Sequence, residues 1–260
     1  VDTSIWEASP IADLSLEVAS DGLRLPAGAR VPARSRGTVV LIHGLPSTAP
    51  TEPDDDGYPG MAGRFAAAGW TAVWVRMRAA PGAPGFFSIR GWVADVLAAC
   101  DAALELDGAG ARGKPLVLVG SSAGGAVSVQ ARREGAPVDA LVLLAAPAEW
   151  VTFASTPEEG LRRITEGSGM PVSPAVWGDP HQWANEFLTV TPEASIAEAG
   201  VPVLIVHGSN DEVVPPAHAH RLARRAPGAD LVIIEGAAHQ LRRRPDIVPT
   251  VVEWLERVVV

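Results

Sequence analysis

The chain has one cysteine, Cys100, among 260 residues. A lone thiol excludes an intrachain disulfide and any cysteine-based metal cluster. Cys100 falls in an amphipathic run over residues 91–100, where a small apolar residue packed in the core is expected. No apolar run approaches the ~20 residues needed to span a bilayer, so no membrane span is expected. A basic-then-apolar leader pattern is lacking too. The first residue is Val1 rather than Met, which leaves room for a removed upstream segment, and the cytoplasm is the expected location. Positive charge is the scarcer sign, with 21 Lys and Arg against 30 Asp and Glu and a net charge of -9. That balance argues against nucleic acid, whose phosphates require a basic face. It predicts solubility and mild repulsion of anionic substrates.

No linker, low-complexity tract or repeat divides the sequence, and a chain of this length suits one α/β domain over residues 1–260. Strand-like runs over residues 39–42, 72–75, 116–119, 140–144, 203–206 and 231–234 alternate with helical patterns over 61–68, 89–104, 124–133, 216–226 and 245–258. The alternation predicts a mostly parallel central sheet with helices on both faces. Most strand runs are continuously apolar, as strands covered on both sides must be. Gly69, Gly135 and Gly228 fall just past three of the helices, where a left-handed residue is wanted. Residues before about Arg36 read as an antiparallel entry with its hairpin turn at Asp21-Gly22. Residues 148–199 break the rhythm with three tryptophans and several prolines, and read as a small helical cap.

The most informative stretch is Leu116-Val117-Leu118-Val119-Gly120-Ser121-Ser122-Ala123-Gly124. It fits Gly-x-Ser-x-Gly centred on Ser122, a sharp strand-to-helix turn that raises one hydroxyl above a sheet. Centring on Ser121 fails, because Val119 and Ala123 stand where glycine would be needed. Three further segments follow predicted strands or lead out of them: Val39-Val40-Leu41-Ile42-His43-Gly44, Val203-Leu204-Ile205-Val206-His207-Gly208-Ser209-Asn210-Asp211, and Gly236-Ala237-Ala238-His239. Ser122, Asp211 and His239 stand in that order along the chain.

These segments resemble the α/β-hydrolase superfamily, in its serine esterase and serine aminopeptidase-like branch, from about Thr38 to the C-terminus. The resemblance implies an α/β-hydrolase fold and acyl hydrolysis without a cofactor or metal. His239 would take the Ser122 proton, and Asp211 would hold the imidazole in the right tautomer. Glu149 is a distant alternative acid. The backbone N–H groups of Ala123 and Leu45 would bind the oxyanion, since Pro46 has no N–H to offer. The Gly44-Leu45-Pro46 loop is similar to that of epoxide hydrolases and haloalkane dehalogenases, but those attack with Asp where this chain has Ser122.

The expected substrate is a small-molecule carboxylic ester with a small or medium acyl group. Trp150, Trp177, Trp183 and Phe86 are candidate pocket residues, each with the alternative of anchoring the cap or seating a helix. Asp54-Asp55-Asp56 reads as a solvated acidic loop. Arg242-Arg243-Arg244 reads as a solvated face, or as a carboxylate binder near the mouth. His43 and His207 suit structural hydrogen bonds. His218 and His220, two apart on a helix, point to different faces and make no metal site, whereas His181 in the cap could face the pocket. A serine-aminopeptidase-type peptidase is the rival enzyme; the cap shows no distinctive acidic pair for a peptide amine, although Glu158-Glu159 could serve. A non-catalytic ligand-binding member of the fold is the rival from another class. Oligomeric state is open, with the Val258-Val259-Val260 tail able to pack at home or against a neighbour.

Overall fold

In the computed structural model, residues 10–49, 55–107, 114–150, 153 and 155–259 are described. Asp54 and Val260, singled out above, lie outside them.

Two long strands, β1 (Ile11–Ser20) and β2 (Leu23–Pro32), open the chain as an antiparallel hairpin. Its turn sits at Asp21 and Gly22, both with positive φ, the backbone a two-residue turn of this hand requires. The α/β rhythm follows: β3 (Thr38–Ile42), α1 (Gly57–Ala67), β4 (Thr71–Val75), α2 (Ile89–Asp107), β5 (Leu116–Ser121), α3 (Ala123–Arg133) and β6 (Ala140–Leu144). After the interval described below come β7 (Val203–Gly208), a helix over Ala217–Arg225, β8 (Asp230–Ile234) and a closing helix over Ile247–Val258. The sheet order is β1-β2-β4-β3-β5-β6-β7-β8, parallel from β4 onward.

Period-2 alternation along these strands divides the core in two. Val40, Ile42, Leu118, Leu141, Leu143 and Ile205 face one layer, with α2 and α3. Val39, Leu41, Val117, Val119, Val142 and Leu204 face the other, with α1 and the closing helix. All twelve are buried. Each such side chain contributes about 1.5–3 kcal/mol on burial, so neither face tolerates a polar alternation. Cys100 sits in the first layer, and burial pushes its thiol up to about 12, which leaves it unreactive at neutral pH.

Between β6 and β7 the described residues form short helical pieces. They include α4 (Pro157–Arg162), a widened turn at Arg163–Gly167, α5 (Pro180–Phe187) and α6 (Pro192–Ser195). The helices over Ala217–Arg225 and Ile247–Val258 are therefore α7 and α8. Aromatic rings pin this segment to the body: Phe153 stacks on Phe187 at 4.6 Å, Trp183 meets Phe187 edge-on at 5.0 Å, and Phe87 from the body completes the cluster. Backbone bonds from Thr48 to Gly167 and from Phe87 to Pro171 add polar attachment.

The chain leaves β3 for β4 on one side and returns to β5 on the other. That reversal places the crevice for ligands beyond the carboxyl ends of β3 and β5.

Candidate active site

Ser122 occupies the sharp turn between β5 and α3 with φ 52 and ψ -125. A non-glycine residue held there costs about 1–3 kcal/mol, and its N–H is fixed 2.8 Å from the Leu144 carbonyl on β6. The flanking glycines have a steric cause: a Cβ on Gly124 would strike the Ile42 and His43 carbonyls, and one on Gly120 would strike Gly124 and Gly125. The elbow therefore packs directly against the end of β3.

Asp211 follows β7 and His239 follows β8, and both reach Ser122. Nδ1 of His239 is 2.8 Å from Oδ2 of Asp211, and Nε2 is 3.0 Å from Oγ of Ser122. A carboxylate only accepts, so Nδ1 carries the proton and Nε2 keeps the lone pair that faces the serine hydroxyl. Oδ1 of Asp211 accepts from the amides of Val213 and Val214 at 2.9 Å each. Burial pushes the Asp211 carboxyl up, but hydrogen bonds from His207, His239 and the Val214 amide outweigh it and hold it well below the usual carboxylate range. The arrangement can draw a proton from Ser122 while Asp211 stays ionised.

Leu45 and Ala123 flank the same hydroxyl, and among the described residues neither backbone N–H donates to a protein acceptor. Two cavities meet at Ser122. A small one of about 100 Å3 is lined by residues that include Leu45, Ala123, Trp150, Phe153 and Val214. A larger one of about 550 Å3 lies on the His239 side, between Tyr58, Pro81 and Arg242.

The remaining candidates fall in different places. Trp150 lines the small cavity. Trp183 is buried in the aromatic cluster, whereas Trp177 and Phe86 are 58% and 51% exposed and line neither cavity at Ser122. Glu149 turns to Arg221 instead of His239. His43 donates from Nδ1 to the Gly44 carbonyl and accepts at Nε2 from the Met77 amide, and burial lowers its proton affinity. His218 accepts from the Ala148 amide, and His181 is exposed. Glu159 pairs with Arg162 on the surface.

The acidic and basic runs depart from a purely solvated role. Arg242 grips both carboxylate oxygens of Asp55 and lies over the Tyr58 ring, at the wall of the larger cavity. Asp56 pairs with Arg64 and Arg244 with Asp246. Opposite charge 187 positions apart drew the two runs together, and no local pattern announces that pairing. Tyr58 and Arg76, both on the larger cavity, carried no signal in the sequence beyond their types.

Among solved structures, Est1E from Butyrivibrio proteoclasticus is 21% identical, with 94% of this chain and 98% of that one covered and a TM-score of 0.66. An esterase from Pyrococcus furiosus is 15% identical, with 100% and 96% covered and a TM-score of 0.68. The acylaminoacyl peptidase of Pyrococcus horikoshii is 17% identical, with 98% of this chain but 43% of that one covered and a TM-score of 0.67. These likenesses establish the α/β-hydrolase fold. An uncharacterised protein of Mycobacterium tuberculosis is 32% identical over 81 residues, a stretch that spans 30% of this chain and 24% of that relative. Residues 91–259 match the prolyl oligopeptidase family. The chain belongs to that family and has the α/β-hydrolase fold.

Proposed function

We propose that the protein hydrolyses carboxylic esters with short acyl groups, through an acyl-enzyme on Ser122. The observation that carries this reading is the pair of unequal cavities meeting at the Ser122 hydroxyl. His239 borders only the larger one, whereas Ala123 borders only the smaller. The base must hand its proton to the departing alcohol, so the leaving group belongs beside His239. The acyl group then occupies the smaller cavity, of about 100 Å3 against about 550 Å3 for the other, which favours a short chain.

In this reading Oγ of Ser122 attacks the ester carbonyl as Nε2 of His239 takes its proton. The Leu45 and Ala123 amides hold the developing oxyanion; one such donor is worth about a hundredfold or more in rate. Collapse of the tetrahedral species expels the alkoxide, which receives the proton from His239. A water then repeats the sequence on the acyl-enzyme and frees the acid. The segment between β6 and β7 acts as a cap whose Trp150 and Phe153 close the acyl side.

A peptidase is the second reading, favoured by the family match. Against it, Glu158 and Glu159, the one acidic pair that could serve a peptide amine, line neither cavity at Ser122.

Hydrolysis of p-nitrophenyl acetate, butyrate, octanoate and laurate by wild type and Ser122→Ala tests both. The expected result is turnover that peaks at acetate or butyrate and collapses in the variant. Faster cleavage of aminoacyl p-nitroanilides than of any ester would replace the ester reading with the peptidase one. Inertness on all substrates, together with no fluorophosphonate labelling of Ser122, would point to a non-catalytic protein.

A further inference from the structure

The larger cavity has a charge opposite to that of the chain. The protein carries -9 overall, yet the described wall of this cavity holds Arg76, Arg242 and Arg243 against one carboxylate, Asp55. Both oxygens of Asp55 are engaged by Arg242, which holds that carboxyl at about 2. Asp55 therefore offers little to a cation entering from solvent.

Arg76 differs from its neighbours. It is the first residue after β4, and β4 lies beside β3 in register, with Val75 opposite Ile42. This puts Arg76 next to the strand end that leads into His43, Gly44 and Leu45. The two residues after it are tied down: the Met77 amide bonds to His43, and Arg78 is clamped by Asp95, Asp21 and Ser20. The Arg76 guanidinium instead rests against the turn at Gly82, exposed, and among the described residues it makes no ion pair. Its charge still reaches the His43 ring, where it opposes protonation. A cation held by a rigid loop at the edge of the cavity beside the catalytic hydroxyl is a recognition element for an anion.

We propose that the larger cavity takes an anionic leaving group, with a carboxylate on the alcohol or phenol moiety bound by Arg76 and the Arg242–Asp55 pair forming a fixed polar wall. The inference rests on the ester reading above and deepens it: the substrate is a short-chain acyl ester of a hydroxycarboxylic acid. Recognition acts on the part of the substrate that departs, so it is read mainly in KM. The general negative charge of the chain repels such an ester at a distance, and the local arginines reverse that at the cavity.

Three acetate esters test this: 4-acetoxybenzoate, 4-acetoxybenzamide and 4-acetoxy-N,N,N-trimethylanilinium, each rate normalised to its own alkaline hydrolysis. Wild type should prefer the carboxylate over the cation by about tenfold or more in kcat/KM at low salt, with the amide between, and the preference should shrink at high salt. Arg76→Gln should raise KM for the carboxylate ester about tenfold and leave the amide ester within about twofold of wild type. Equal normalised rates for all three in wild type, or an equal loss on all three in Arg76→Gln, would overturn the proposal.

Binding of the products 4-hydroxybenzoate and 4-hydroxybenzamide to Ser122→Ala, measured by calorimetry, reads the cavity without turnover. Tighter binding of the carboxylate, lost in Ser122→Ala/Arg76→Gln, supports the anion site even if ester hydrolysis fails. No preference for the carboxylate sinks it even if ester hydrolysis succeeds.

Discussion

Nε2 of His207 stands 3.3 Å from Oδ2 of Asp211, with both side chains closed to solvent. The same nitrogen is 2.8 Å from the Val214 carbonyl, so it carries a proton aimed between two acceptors. Nδ1 has no hydrogen-bond partner among the described residues, which suits a lone pair. His207 is therefore a strut beneath the carboxylate to which His239 also bonds. Its hydrogen bond is one of those that keep Asp211 ionised against the cost of burial.

His207→Ala should weaken that orientation. A hydrogen bond to a charged group is worth about 1.5–3 kcal/mol, so kcat should fall roughly ten- to hundredfold with KM little changed. Steady-state kinetics on p-nitrophenyl acetate, run well below the variant's Tm, separates this from destabilisation. An unchanged kcat in a folded variant would limit His207 to a packing role.

The Asp55–Arg242 pair predicts a pH dependence of stability. The Asp55 carboxyl is depressed from 3.8 to about 2, chiefly by its hydrogen bonds to Arg242. A depressed carboxyl stabilises the fold at pH above its unfolded value, and that contribution is lost as pH falls through the folded one. The difference in urea midpoint between wild type and Asp55→Asn should be flat from pH 5 to 7 and fall to roughly half by pH 3. A difference that holds constant down to pH 3 would show that the pair stabilises by packing alone.

Sequence and structure agree where the physics is local. Runs such as Val203–Gly208 announce buried strands because both faces of the sheet are covered. The elbow at Ser122 announces itself because only glycine fits two residues either side. Asp211 and His239 were legible since each follows a strand and so must emerge on the same edge. What stayed hidden depends on distant charge and on the path of irregular chain. Asp55 meets Arg242 across the mouth of the cavity, and Trp177 turns outward while Trp183, six positions on, turns in. Short helices with no long apolar stripe carry no periodic signal for which ring faces inward.

Asp95 ties the loop that carries Arg76 to the rest of the fold. It is fully buried, accepts from the Arg78 guanidinium and backbone amide, and accepts from the Ser20 hydroxyl on β1. Removing one partner of a buried pair costs about 3–5 kcal/mol, and without Asp95 the Arg78 guanidinium keeps only the exposed Asp21 carboxylate as a charged partner. Asp95→Ala should therefore lower Tm by roughly 10 °C in a protein of this size, as read by calorimetry. Asp95→Asn, which keeps the shape and part of the hydrogen bonding, should lose less. Equal losses in the two would mean that cavity formation, and not charge, sets the cost.

Gly208 ends β7 where the His239 loop crosses it. A Cβ there would run into the carbonyls of Ala237 and Ala238, which are backbone and cannot swing aside as a side chain can. The Asn210 amide also bonds to the Ala237 carbonyl at 3.0 Å, so the loops that carry Asp211 and His239 are tied together at this point. Gly208→Ala should push the His239 loop outward while β7 keeps its pairing to β6. A displacement of about 1 Å at a reacting group costs on the order of a hundredfold in rate. Activity on p-nitrophenyl acetate should fall by that order, and fluorophosphonate labelling of Ser122 should slow in parallel, because in the proposed mechanism both need Nε2 of His239 as base. Full activity in Gly208→Ala would mean that the two loops have slack at this crossing, and that the 3.0 Å from His239 to Ser122 is set elsewhere.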